Sequence, residues 1–266
     1  MKGYLYYALN DIKRNQAFID ELINEAKQYN IQLKCVYKET AITKDAQFVI
    51  YRGRDYALVQ RLEQKGIRVF NRSEVSRIAN NKLSTFELAM MLGIPVIETH
   101  KLYTSKQIDR YPVVIKTTDG FGGQDVHLCQ SEADVLAVQQ QYKDKTLIVQ
   151  PYIESNATDI RIFALGNEII GAVKRQGQQS FKANFSLGGK IESYQPTKRD
   201  RLIIEKITSA LHSDYIGVDF LQQPNGQLVL NEIEDPVGAR SLYITENISV
   251  AERYIDYIYC QLTKTN

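Results

Sequence analysis

A chain of 266 residues, 44% hydrophobic and 24% charged, has the make-up of an ordinary globular protein of two or three compact units. Its formal net charge of +2 gives no electrostatic case for a nucleic-acid or membrane partner. Cys35, Cys129 and Cys260 are odd in number and far apart, which argues against a disulfide framework or zinc site and fits a reducing cytoplasm. No apolar h-region opens the chain and no run nears the ~18–20 apolar residues of a membrane span. His100, His127 and His212 are scattered singly, so no Ser-His-Asp constellation can be composed.

Residues 1–95 alternate strand and helix patterns. Strands are predicted over 3–8, 31–37, 47–51 and 68–71, and a helix over 15–29 with Phe18, Leu22, Ile23 and Ala26 on one face. Asp55 is placed as the N-cap of a further helix that Gly66 closes. Such alternation implies a small parallel α/β sheet, whose ligand loops leave the C-terminal strand ends. Two of these loops are polar, Arg52-Gly53-Arg54 and Asn71-Arg72-Ser73, and fit solvent or a substrate equally. Asn80 or Asn81 caps a helix over 82–92, which Gly93 and Pro95 stop, and a first domain boundary is expected there. Residues 96–110 read as a connector with one short strand.

Strand-like 113–115 and 126–128 enclose Lys116 and the loop Asp119-Gly120-Phe121-Gly122-Gly123. Its glycines let backbone amides approach a phosphate, for which Lys116 supplies a point charge. This is not a Walker loop, and a flexible hairpin tip explains the residues as well. Ser131 caps a helix over 131–141. An apolar strand then leads into Gln150-Pro151-Tyr152-Ile153, where an adenine slot or an ordinary edge strand would both fit.

Two hairpins follow. In the first, a two-residue turn at Gly166-Asn167 sets Leu165 opposite Glu168 and Asp159 opposite Lys174, with Arg161 on the same face. The polar segment 177–189, with Lys182 and Asn184, is too long for a tight turn. Beyond a helix over 200–211, the second hairpin turns at Asn225-Gly226. A two-residue turn there sets Leu221 opposite Leu230 and Asp219 opposite Glu232, with Glu234 on the same face. Opposed carboxylates destabilise a sheet, so the three acids either meet a hard cation such as Mg²⁺ or fan out into water. A helix over 250–262 ends the pattern.

Taken in order, Lys82-Leu83, Val114-Ile115-Lys116 with its glycine loop, Val149 to Ile153, Asp159-Ile160-Arg161, Lys182-Ala183-Asn184, Gly217-Val218-Asp219 and Asn231-Glu232-Ile233-Glu234 resemble the ATP-grasp superfamily, most closely the RimK-like glutamate ligases. The resemblance covers about residues 80–262. Behind the α/β N-terminal domain (1–95) read from the strand–helix alternation, it implies a two-part α+β ATP-grasp fold with antiparallel sheets: a small subdomain (96–155) and a C-terminal subdomain with the metal site (156–266). It also implies a cytoplasmic ligase that uses ATP with Mg²⁺ or Mn²⁺. Lys116 and Lys182 would hold phosphates beside the Gly120, Gly122 and Gly123 loop, Lys82 would belong to the same nucleotide site, and Gln150, Pro151, Tyr152 and Ile153 would frame the adenine. Asp159 and Asn184 would also contact the nucleotide. Asp219, Glu232 and Glu234 match the metal ligands, the last standing where Asn is common in the family.

The implied chemistry is activation of a carboxylate by ATP to an acyl phosphate, then attack by an amine, with ADP and phosphate released. Arg161, Lys174, Arg175 and Arg240 are the candidates to hold the carboxylate or the tetrahedral intermediate. Loops 120–123 and 177–189 are expected to act as lids. Partners are expected to be an amino acid such as glutamate and a small-molecule, peptide or protein acceptor, with association into homo-oligomers as among relatives. A phosphotransferase and an ATP-binding regulator without turnover stay open as alternatives.

Overall fold

The computed structural model describes residues 1–123, 125–155, 158–177 and 190–264. Its N-terminal sheet holds β1 (Lys2–Tyr6), β2 (Gln32–Val36), β3 (Phe48–Tyr51) and β4 (Arg68–Phe70), all parallel in the order β2-β1-β3-β4. Helix α1 (Leu9–Gln28) buries Ile19, Leu22 and Ala26 against the sheet and begins earlier than the apolar periodicity predicts. Its first turns are largely exposed, so they carry little apolar signal, but Asp11 suits the helix N-terminus. Asp55 caps α2 (Tyr56–Gln64) as expected, its carboxylate accepting from Ala57 and Leu58. The polar segment after β4 is shorter than expected, because α3 (Ser73–Ala79) starts within it. Asn81 then caps α4 (Lys82–Met91).

The second sheet is antiparallel, β5 (His100–Lys101), β6 (Val113–Thr117), β7 (Val126–Cys129) and β8 (Leu147–Pro151), in the order β5-β8-β6-β7. Alternation divides its faces. Val113, Ile115, Leu147 and Val149 pack on Val135 and Val138 of α5 (Glu132–Gln141), which leaves Val114, Lys116 and Gln150 on the other side.

The third sheet is also antiparallel and has five strands in the order β11-β10-β9-β12-β13. Its strands are β9 (Thr158–Leu165), β10 (Glu168–Gln176), β11 (Lys190–Ser193), β12 (Tyr215–Gln222) and β13 (Leu228–Glu234). One face is dry. Ile160, Ile162, Ile216, Val218 and Phe220 pack on Ile203, Ile204 and Ile207 of α6 (Lys198–Leu211) and on Leu88 and Ala89 of α4. The other face is split: Phe163, Leu165, Val173 and Tyr215 join a core shared with α1, Leu242 of α7 (Arg240–Thr245) and Tyr254, Ile255 and Ile258 of α8 (Val250–Thr263). Beyond them the same face turns polar.

Both hairpins depart from their expected registers. Leu165 pairs with Glu168, but a bulge at Ile170 moves the rest by one residue, so Asp159 pairs with Arg175 and Lys174 with Ile160. Gly171 beside the bulge lets Leu242 pack close, since a Cβ there would meet Leu242 Cδ1 at 2.4 Å. In the second hairpin Gln223 pairs with Gln227 across residues 224–226, with Gly226 at φ +81°. Leu221 therefore pairs with Val229 rather than Leu230. A bulge at Asn231 restores the count, and Asp219 does pair with Glu232.

The N-terminal sheet is fastened to the third sheet through buried Asn71. Its Nδ2 donates to Tyr215 O at 2.7 Å and Asp235 Oδ1 at 2.9 Å, and its Oδ1 accepts from the Asp214 and Tyr215 amides at 2.5 and 3.1 Å. Buried Arg52 adds a bond from Nη2 to Val237 O at 2.5 Å. No helix among the described residues is long and apolar enough to cross a membrane. Asn71→Ala would leave several buried polar groups unpaired. It is expected to lower the unfolding free energy by about 3 kcal/mol, read as a shift in urea midpoint at unchanged slope.

Candidate active site

The polar half of the third sheet faces the side of the second sheet opposite α5, and a cleft lies between them. Lys116, Gly120 to Gly123 and Gln150 to Ile153 line one wall; Asp159, Arg161, Asp219, Glu232 and Glu234 line the other; Lys82 lies at the edge.

On the third sheet, cross-strand neighbours make an ion network. Arg161 clamps Asp219 with two bonds of 2.6 Å and reaches Glu234 Oε1 at 2.9 Å. Arg175 donates to Asp159 Oδ1 at 2.7 Å and to Asp219 Oδ2 at 2.8 Å. Burial alone would raise the Asp219 carboxyl, but the two guanidinium groups overcome it and hold it below the usual carboxylate range. Glu234 is shifted the other way: burial raises it and Glu232 and Asp219 add to the rise, with Arg161 opposing.

Asp219, Glu232 and Glu234 each offer an oxygen within 4.8 Å of the others. All-oxygen donors at that spacing, with a carboxyl strained by its neighbours' negative charge, fit a hard divalent cation such as Mg²⁺.

On the opposite wall, Lys116 is buried at the cleft-facing position of β6 and donates from Nζ to Asn231 Oδ1 at 3.0 Å. Burial lowers its pKa to about 8, with Lys82 adding to the fall and Glu232 opposing it. Lys82 opens α4, donates to Gly120 O and lies 3.5 Å from Glu232. Gly122 and Gly123 adopt φ of +63° and +72°, the left-handed region that favours glycine. The Gln150 amide is turned away to Thr99 Oγ1 at 2.8 Å, so at this position only the backbone is left to frame a base. Ile97, Val114 and Leu221 supply apolar surface beside it.

Two expected site residues lie elsewhere. The bulge at Ile170 turns Lys174 out of the cleft, where its Nζ is 3.7 Å from Glu192. Arg240 is exposed and donates from Nη2 to Arg14 O at 2.8 Å, on the α1 side of the molecule. Asp159 and Arg175 are brought to the site but are bound to each other. Lys182 and Asn184, with loop 178–189, lie outside the described residues. Sequence reading missed Asn231, which the bulge presents to Lys116. It left open the role of Arg54, which lies 3.7 Å from Glu234. Bulges have no reliable sequence mark, but a polar loop at a parallel strand's C-terminal end did mark Arg54.

The fold has close counterparts among solved structures. Superposition on D-cycloserine synthetase gives a TM-score of 0.80 at 15% identity, over 99% of this chain and 100% of that one. This is the ATP-grasp fold. The sequence narrows the assignment: residues 79–258 match the RimK-like ATP-grasp domain, and the chain belongs to that family. It is 28% identical to a probable alpha-L-glutamate ligase of Picosynechococcus, over 82% of each chain. It is 26% identical to an uncharacterized Mycoplasma genitalium protein, over 90% of this chain and 85% of that one. The protein is thus an ATP-dependent enzyme of the carboxylate–amine ligase class.

A phosphate at Lys116 would be held best by the charged ammonium, and burial lowers the Lys116 pKa to about 8. Affinity for ADP should therefore fall above that pH, by up to about tenfold per unit. Calorimetric titration from pH 7 to 9.5 checks this, and Lys116→Arg should flatten the profile.

Proposed function

We propose that the protein joins an amino acid such as glutamate, through its amine, to the carboxylate of a small-molecule, peptide or protein acceptor. The reading is supported above all by one juxtaposition: the three-carboxylate set and the two lysines face one another across a single cleft. Residues 1–95, 96–155 and 156–266 would act as three units around it.

Lys116 and Lys82 would hold the polyphosphate, with the glycine loop over it, and Gln150 to Ile153 would frame the base through backbone groups. Asp219, Glu232 and Glu234 would hold Mg²⁺ or Mn²⁺, which when bound supplies charge neutralisation at the transferring phosphoryl group. The acceptor carboxylate oxygen attacks the γ-phosphorus and the bond to the β–γ bridging oxygen breaks, releasing ADP. The amine nitrogen then attacks the acyl carbon, phosphate leaves, and a proton passes from nitrogen to solvent. Phosphoryl transfer of this kind relies on positioning and charge more than on a protein nucleophile, so the lack of a nucleophilic triad is no obstacle. Arg161 is fixed by Asp219 and Glu234, so its part is to order the acids and to place positive charge behind the reacting carbonyl.

The test is ADP release with Mg·ATP against pooled amino acids, dipeptides and small carboxylates, with mass spectrometry of the products. Release that needs both a carboxylate and an amine, and yields an amide mass, is expected. Glu232→Gln should lower turnover at least about a hundredfold. A phosphorylated product formed without amine would mark a kinase instead, and bound ATP with no turnover would mark a sensor.

A further inference from the structure

A carboxylate substrate has to approach the γ-phosphate beside Asp219, Glu232 and Glu234, so some cation must receive it. The central arginines are already engaged. Arg161 is divided between Asp219 and Glu234, and Arg175 between Asp159 and Asp219, both guanidinium groups being buried. Lys116 reaches across the cleft to Asn231 of β13, and Lys82 donates to Gly120 O in the glycine loop. Arg240 lies at α1, and Lys174 lies with Glu192.

Arg54 differs from all of these. It stands in the loop after β3, at the C-terminal end of a parallel strand, beside Phe121 and Glu234, two residues that line the cleft. Its Nη1 donates to the neutral Asn80 Oδ1 at 2.7 Å, and its guanidinium carbon lies 4.5 Å from the Phe121 ring centroid at the tip of the glycine loop. Its nearest acidic partner is Glu234, at a loose 3.7 Å, with Asp235 also within its field, and the side chain is 34% exposed. A guanidinium has five N–H donors, of which this arrangement occupies few. Its plane is held by an amide on one edge and a ring on one face, which leaves a fork for an incoming carboxylate.

We propose that Arg54 binds the substrate carboxylate, holding it beside Glu234 in line with the metal-ligand set. This rests on the ligase reading above. The Phe121 contact then has a second use: the ring keeps the guanidinium oriented, so the glycine loop and the N-terminal sheet meet across the substrate. Among the described arginines around the cleft, Arg161 and Arg175 each hold carboxylates within 3 Å, whereas Arg54 does not.

The experiment separates this from the ligase reading itself. L-glutamate, N-acetyl-L-glutamate and the dipeptide Glu-Glu are each supplied with Mg·ATP and hydroxylamine, which converts an acyl phosphate into a hydroxamate and phosphate. Wild type that forms no hydroxamate with any of the three overturns the ligase reading, and Arg54's role with it. Where wild type does form hydroxamate, Arg54→Gln should raise KM for the carboxylate by about ten- to a hundredfold, the loss of a charge-assisted bidentate contact. KM for ATP should stay within about twofold. Arg54→Lys, which keeps the charge but loses the fork, should fall between. Phe121→Leu, which removes the ring that orients the guanidinium, should raise the carboxylate KM by a smaller step, about threefold. An unchanged carboxylate KM in Arg54→Gln overturns the proposal. So does an equal rise for ATP, or a Phe121→Leu enzyme that reproduces the Arg54→Gln defect, since the guanidinium would then serve the loop or the nucleotide.

Discussion

Asp219 and Glu232 stand opposite each other on adjacent strands, an arrangement that would drive the hairpin apart if nothing met their charge. Arg161 and Arg175 meet it from the neighbouring strands. Their positions are dictated by the ladder: Arg161 pairs with Asp219, and Arg175 pairs with Asp159 one strand further on. Ion pairs this deep stabilise little in net terms, because desolvation offsets much of the attraction, but losing one partner leaves a stranded charge. The network therefore acts chiefly as a template. It holds the acids at one spacing while the dry face of the same strands, packed on α6 and α4, keeps the backbone rigid.

The same network governs charge in the cleft. Asp219 is already neutralised, whereas Glu234 is left with a raised pKa beside Glu232. A divalent cation would therefore find its unmet negative charge on the β13 side, next to Lys116 and Lys82 on the facing wall. The Glu234 carboxylate adds charge at that place. Arg161 and, more loosely, Arg54 are what accompany it.

Much of this was legible in the residues. The parallel N-terminal sheet, the Asp55 and Asn81 caps, the Ser131 capping box and the Asp219–Glu232 pairing all follow from local patterns. That last pairing was reached by two omissions that cancel. The loop at residues 224–226 is one residue longer than a type I′ turn, and the bulge at Asn231 takes the extra residue back. In the first hairpin the bulge at Ile170 has no such compensation, so reading by count chose Lys174 where the ladder places Arg175. Gly171 beside the bulge packs against Leu242, a residue distant in the chain, and no window of local sequence contains that contact. Arg240 was misplaced for a related reason: its position follows from how α7 docks on α1, which is a tertiary matter.

The segment joining α4 to the second sheet does more than connect. Leu230 of β13 donates to Pro95 O at 2.8 Å and accepts from the Ile97 amide at 3.3 Å, so the outermost strand of the third sheet is stitched to the chain on its free side. Side chains alternate faces along a strand, so a slip of one residue would send Glu232 and Glu234 into the apolar layer and bring Ile233 into the cleft. With β12 on one side and residues 95–97 on the other, that slip is blocked twice. The length of this connector is consequently part of the active site's specification: residues inserted between Gly93 and Ile97 would not touch a ligand, yet they would loosen the alignment on which every carboxylate in the cleft depends.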